Sequence, residues 1–228
     1  MIKDSINNRK RQGRSIVRLA DQAAEAIRRM VIEDRFSPWE PLSEFRLAQI
    51  LEISRTPVRE AITQLEQEGL LKVIPGKGAF VVELTKEDFR EINTLRSVLE
   101  PLAAEASVRF IPIEKITEQK ILWMRIAEDL EAHHEVSSGN LTEWDNQLHR
   151  LFMDYCNNSR LRSFLEILQC QTMRYVRATW ETRAFMKETV GQHMEIILAA
   201  EGRNVQGLLQ ALGRHIDFNN TVYACRDR

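Results

Sequence analysis

Asp145 and His149 stand four residues apart in Trp144-Asp145-Asn146-Gln147-Leu148-His149, a spacing that puts a carboxylate and an imidazole on one face of a helix. Two such donors can chelate a divalent cation. Two further histidines lie in apolar periodic segments, His193 beside Ile196 and Ile197, and His215 among Leu209, Leu212 and Phe218. Histidines set in such stripes face a bundle interior more often than water. His133 and His134 belong to no such stripe and are expected on the surface. A second chemistry belongs to Arg55 and Arg59, also four apart, at the start of a segment whose apolar residues Val58, Ala61, Ile62 and Leu65 recur at helical spacing. Beside the hydroxyls of Ser54 and Thr56, two guanidiniums on the open face of that helix suit phosphates and guanine edges.

The elements that would position these groups follow from periodicity and turn residues. Pro57 fits the first turn of the arginine-bearing helix, where its missing N–H costs nothing, and Thr56 or Ser54 can cap it. Upstream, Leu47, Ala48, Ile50 and Leu51 mark a second amphipathic segment opened by Leu42-Ser43-Glu44, with only Glu52-Ile53 between the two. Two short helices and a tight turn make a helix-turn-helix, with the arginine helix as its recognition helix. Downstream, Leu71 to Ile74 and Ala79 to Val82 are β-prone runs around Pro75-Gly76-Lys77-Gly78, which predicts a hairpin with Lys77 and Gly78 at a basic tip. A helix from Leu19 to about Glu33 is expected to back this unit, with Arg28 and Arg29 solvated. Met1 to Arg14 is basic and aperiodic, and reads as a flexible tail.

Thr85, with Asp88 three residues on, is an N-cap signal that opens a helical second half. Segments from Phe89 to about Phe110, Ile113 to His134, Asn140 to Cys156, Ser159 to Trp180, Lys187 to Glu201 and Val205 to Ala224 are all amphipathic. Pro101 falls inside the first of them and is expected to kink it. The expected fold is therefore mainly α: residues 15–84 form a winged helix-turn-helix with a small β wing, and residues 85–228 an all-α helical bundle.

Ser54 to Ala61, Glu68-Gly69-Leu70 and Gly78-Ala79-Phe80-Val81 together resemble the GntR family of bacterial transcription regulators. The chain departs from that pattern at Glu52, where the turn usually has Gly, and at Phe45, where many members carry a DNA-contacting Arg. The second half resembles the ligand-binding domain of the FadR subgroup, whose metal-binding members place an Asp-x-x-x-His, a later His and a C-terminal His in the order of Asp145, His149, His193 and His215. The resemblance implies that these four bind a divalent metal, Zn, Ni, Mn or Fe. It also implies that Arg96, in Leu95-Arg96-Ser97-Val98-Leu99-Glu100-Pro101, grips the carboxylate of a small organic acid effector, with Arg174 and Arg177 as weaker candidates. A homodimer on an inverted-repeat operator, acting as a repressor, completes that expectation.

Net charge is −1, and the split is shallow: 14 basic against 12 acidic residues up to Leu84, then 18 against 21. The case for DNA rests on where charge is placed, not on its total. Three cysteines without metal-type spacing and the lack of a long apolar run fit a reducing cytoplasm. Two other readings use the same residues. A metal-dependent hydrolytic enzyme could activate water on such a cluster, though no independent general base stands out and the arginine motif would have no use. A plain architectural DNA-binding protein would leave the histidines without a role.

Overall fold

The computed structural model of the chain describes residues 18–83, 85–180 and 182–224, and these divide into two compact units that meet between Glu83 and Leu84. The basic tail at 1–14 and Cys225 lie outside the described residues.

In the first unit, α1 (18–32) is followed by β1 (Pro41–Leu42), α2 (Glu44–Ile50), α3 (Arg55–Gln67), β2 (Leu71–Ile74) and β3 (Gly78–Val81). Helix α3 buries Pro57, Val58, Ala61, Ile62 and Leu65, the stripe that its spacing implies. Each large apolar side chain so buried contributes about 1.5–3 kcal/mol. The three strands form one antiparallel sheet in the order β1-β3-β2, with Leu71 opposite Val81 and Leu42 opposite Ala79. Strand β1 is too short for periodicity to reveal, since two residues carry no alternation. Arg28 is not simply solvated: its guanidinium donates from Nε (2.9 Å) and Nη2 (2.7 Å) to the Glu68 carboxylate, a half-buried fork that ties α1 to the end of α3.

Several helices end alike. After α2, Ile53 N–H donates to Ala48 O and Glu52 N–H to Gln49 O, with Glu52 at φ +55°, which is the Schellman arrangement. The end of α3 repeats it with Gly69 at φ +73°. Glycine adopts that left-handed backbone freely, whereas a side chain costs about 1–2 kcal/mol there. Asp34, His133 and Arg203 are other side-chain-bearing residues at such positive φ.

The second unit contains α4 (Lys86–Ser107), α5 (Ile113–Glu131), α6 (Ser138–Asp154), α7 (Ser159–Thr179), α8 (Arg183–Glu201) and α9 (Val205–Ala224). Thr85 caps α4, its Oγ1 accepting from Asp88 N–H at 3.1 Å. Pro101 lies inside α4, which runs as one helix from Lys86 to Ser107. One apolar cluster gathers Trp123, Leu130, Leu141, Leu148, Ile196 and Leu212 among others, and a second joins Phe89, Ile92 and Ala103 of α4 to Leu161, Leu165 and Tyr175 of α7. Arg203 reaches back from the end of α8 to donate to Val108 O and Ile111 O, fastening the turn between α4 and α5. Cys156 and Cys170 are both buried. Among the described residues no helix is long and apolar enough to cross a membrane.

Candidate nucleic-acid interface and metal centre

Burying the apolar stripe of α3 turns Arg55, Thr56 and Arg59 outward, and all three are exposed, as is Ser54. Ser54 occupies the N-cap position by backbone geometry (φ −72°, ψ 162°) but its hydroxyl makes no capping bond, which leaves it available to a ligand. Both arginines converge on Glu44 at the start of α2. Arg59 donates from Nε to Oε1 and from Nη2 to Oε2, each at 2.9 Å, and Arg55 Nη2 donates to Oε2 at 3.0 Å. Hydrogen bonds from Arg59, then from Arg55, outweigh slight burial and hold the Glu44 carboxyl down to about 2. Phe45, next along α2, is 61% exposed. In the wing, Lys77 and Gly78 lie at the exposed tip, and Gly76 (φ +75°) and Gly78 (φ +102°) supply the backbone that the tight turn needs.

The second centre lies in the bundle. Asp145 and His149 on α6, His193 on α8 and His215 on α9 are all buried, and one donor atom from each falls within 4.8 Å of the others. His149 Nε2 is 3.3 Å from His215 Nε2 and 4.0 Å from Asp145 Oδ1. His193 Nε2 reaches 3.1 Å from Asp145 Oδ1 without hydrogen-bond alignment, so neither of its ring nitrogens has a hydrogen-bond partner in a fully buried site. The His193 ring packs on Trp123, 4.1 Å between centroids. A buried polar group without a partner is destabilising, so the unsatisfied nitrogens of His193 favour a ligand among the four donors. Ligands bonded at about 2.0–2.2 Å to one ion stand roughly 3–4 Å apart, which is the scale observed. Three imidazoles and a carboxylate therefore fit a divalent metal.

Around the four runs a layer of hydrogen bonds. His149 Nδ1 lies 2.7 Å from Glu100 Oε2, and Glu100 Oε1 accepts from Arg96 Nε, while Arg96 Nη1 donates to Asn93 Oδ1 at 3.1 Å. His215 Nδ1 is 3.2 Å from Gln192 Oε1, and Asn219 Nδ2 is 3.3 Å from His215 Nε2. A carboxylate behind a ligating histidine fixes its tautomer and ring angle. Burial pushes the Asp145 carboxyl up, but the approach of His193 and the charges of the three histidines hold it well below the usual carboxylate range. Burial alone would depress His149, yet Glu100 raises it, whereas burial keeps His193 low and His215 lower still.

Arg96 is 1% exposed and committed to Glu100 and Asn93, so it stands behind His149. Arg174 is buried and Arg177 half-buried. His133 and His134 are exposed. Glu100, Gln192 and Asn219 escaped notice in the sequence. The signal for Glu100 was present in its spacing of four from Arg96, and for Asn219 in its spacing of four from His215.

A winged helix-turn-helix carrying exposed arginines, in one chain with an all-α bundle, defines a DNA-binding transcriptional regulator. The chain belongs to the GntR family: residues 19–81 match the bacterial regulatory proteins of that family and residues 91–218 match the FCD domain. It is 29% identical over 200 residues to the HTH-type transcriptional regulator YdhC of Bacillus subtilis, covering 85% of each chain. Against the Nta operon transcriptional regulator of Aminobacter aminovorans it is 28% identical, over 73% of this chain and 76% of that one. The solved structure of E. coli McbR/YncC shares the fold, with a TM-score of 0.76 at 21% identity over 90% of this chain and 97% of that one. These relatives are regulators, not enzymes.

Proposed function

We propose that the bundle binds one divalent metal through Asp145, His149, His193 and His215, and with it a small organic acid that changes the affinity of the winged unit for operator DNA. The observation that carries this reading is the convergence of four buried donors within 4.8 Å, with His193 left without hydrogen-bond partners. When bound, a metal of this type offers open coordination positions to a carboxylate oxygen. Glu100 orients His149, and Arg96 would grip a second carboxylate oxygen only by exchanging its bond to Asn93 or Glu100 for one to the acid. The apolar side chains of Phe152, Met153, Leu165 and Leu212 lie beside Glu100 and His149 and would have to part to admit an acid. Two copies of the chain would present two α3 helices to the halves of an inverted repeat, with Ser54, Arg55, Thr56 and Arg59 over bases and phosphates and Lys77 and Gly78 on the flanking backbone. As a repressor the chain would act while bound to its operator, and an acid that weakens that binding would lift repression.

An effector can shift DNA affinity only by the difference in its own affinity for the two states, typically about 1–3 kcal/mol, or roughly 5- to 150-fold. The test uses metal-loaded protein and a duplex that it selects from a random-sequence library. A panel of short mono- and dicarboxylates is screened by thermal shift, and duplex affinity is measured with each hit. A shift within that range is the expected result. An acid that stabilises the protein yet leaves duplex affinity unchanged refutes the coupling.

A further inference from the structure

Both arginines of the recognition helix are held by one acidic residue, and the geometry says which parts of them remain for DNA. Arg59 gives its Nε and Nη2 edge to the two oxygens of Glu44 at 2.9 Å each. A guanidinium has five N–H groups in a fixed fork. With the side edge occupied, Arg59 keeps the end edge, Nη1 and the second N–H of Nη2, and those two parallel donors match O6 and N7 of guanine. Arg55 gives Glu44 a single N–H from Nη2 at 3.0 Å. The side chains of Arg55 and Arg59 are 60% and 65% exposed, and among the described residues Glu44 is the group that holds their heads.

We infer that Glu44 is a specificity-determining positioning residue of the DNA interface: its carboxylate aims the end edge of Arg59 and the head of Arg55 at guanine while cancelling part of the charge that would bind any phosphate. Sequence-independent binding scales with the number of phosphates neutralised, so an acid among the arginines suppresses it. Base reading needs a fixed fork, which the same acid provides. Glu44 thus weakens binding to all DNA and strengthens discrimination. The inference rests on the reading of α3 as the recognition helix.

Glu44 lies at the surface of the unit, and Glu44→Gln keeps its size while removing its charge. The full chain and the variant are titrated against two duplexes, the site selected by wild type from a random library and a scrambled one, across a salt series. The expected result for Glu44→Gln is tighter binding to scrambled DNA, with a salt slope steeper by about 1 per chain, and a selected-to-scrambled ratio reduced by roughly 10-fold or more. Glu44→Asp keeps the charge but shortens the reach, and is expected to leave scrambled binding weak while also lowering the ratio. A ratio unchanged in Glu44→Gln overturns the inference, whether both affinities rise, fall or stay. A wild type that selects no sequence overturns the recognition-helix reading and this inference with it, whereas a selective wild type with an equally selective variant overturns this inference alone.

Discussion

Replacing Glu100 by Gln isolates what the layer behind the metal cluster contributes. The carboxylate holds His149 Nδ1 at 2.7 Å with one oxygen and Arg96 with the other, all within the buried interior. Glutamine keeps the shape but not the charge, so two separate losses follow. His149 loses the anion that fixes its tautomer, and loss of such a partner costs 10- to 100-fold in metal affinity, about 1.4–2.7 kcal/mol. Arg96 loses its ion-pair partner, and breaking a buried pair on one side costs about 3–5 kcal/mol of stability. The double change Arg96→Met with Glu100→Gln removes charge and partner together. It is expected to recover most of the stability but none of the metal affinity. Competition with a chelator of known affinity, on protein shown to be folded by circular dichroism, reads the first quantity, and thermal melting reads the second. Metal affinity within twofold of wild type in folded Glu100→Gln would refute the role assigned to Glu100.

Three other outcomes are expected. Glu52→Gly relieves a φ of +55° at the turn between α2 and α3 and should stabilise the full chain by about 1 kcal/mol in calorimetry; a lower melting temperature would mean that the Glu52 side chain matters more than its backbone. Arg59→Ala should cost about 1–3 kcal/mol at one base pair per half-site, whereas Lys77→Ala should weaken binding to all sequences alike and lower the salt slope by about 1, both read by anisotropy. Metal binding should release protons, because the ligating imidazoles must be neutral and Glu100 raises His149, and affinity should fall as pH falls. Calorimetry in two buffers of different ionisation heat measures that release, and none at all would contradict it. In the metal-free protein the raised His149 adds stability present below about pH 6.5 and lost as pH rises through its folded value, while the depressed His215 removes stability as pH falls below about 6.5.

Helix α3 and its exposed arginine face were legible because Val58, Ala61, Ile62 and Leu65 leave one face for Arg55 and Arg59, and periodicity reports faces directly. The convergence of Asp145, His149, His193 and His215 was legible in part. Spacing placed Asp145 and His149 together, but His193 and His215 come from α8 and α9, and only the packed bundle shows their nitrogens converging. Glu100 and Glu44 were not seen as partners, because each acts across helices: Glu100 on His149 of α6, and Glu44 on two arginines of α3. Arg28 was missed for the same reason, its partner Glu68 lying 40 residues away. Glu52 stood out against the family pattern, and its φ supplies the reason: the turn needs a left-handed residue after α2.

The metal centre is tested most directly by loading the full chain with zinc, counting bound ions, and recording the zinc X-ray absorption spectrum for wild type and His149→Ala. One ion per chain, ligated by nitrogen and oxygen with three imidazoles in wild type and two in the variant, is the expected result for Asp145, His149, His193 and His215. No uptake, or sulfur in the first coordination shell, would contradict it.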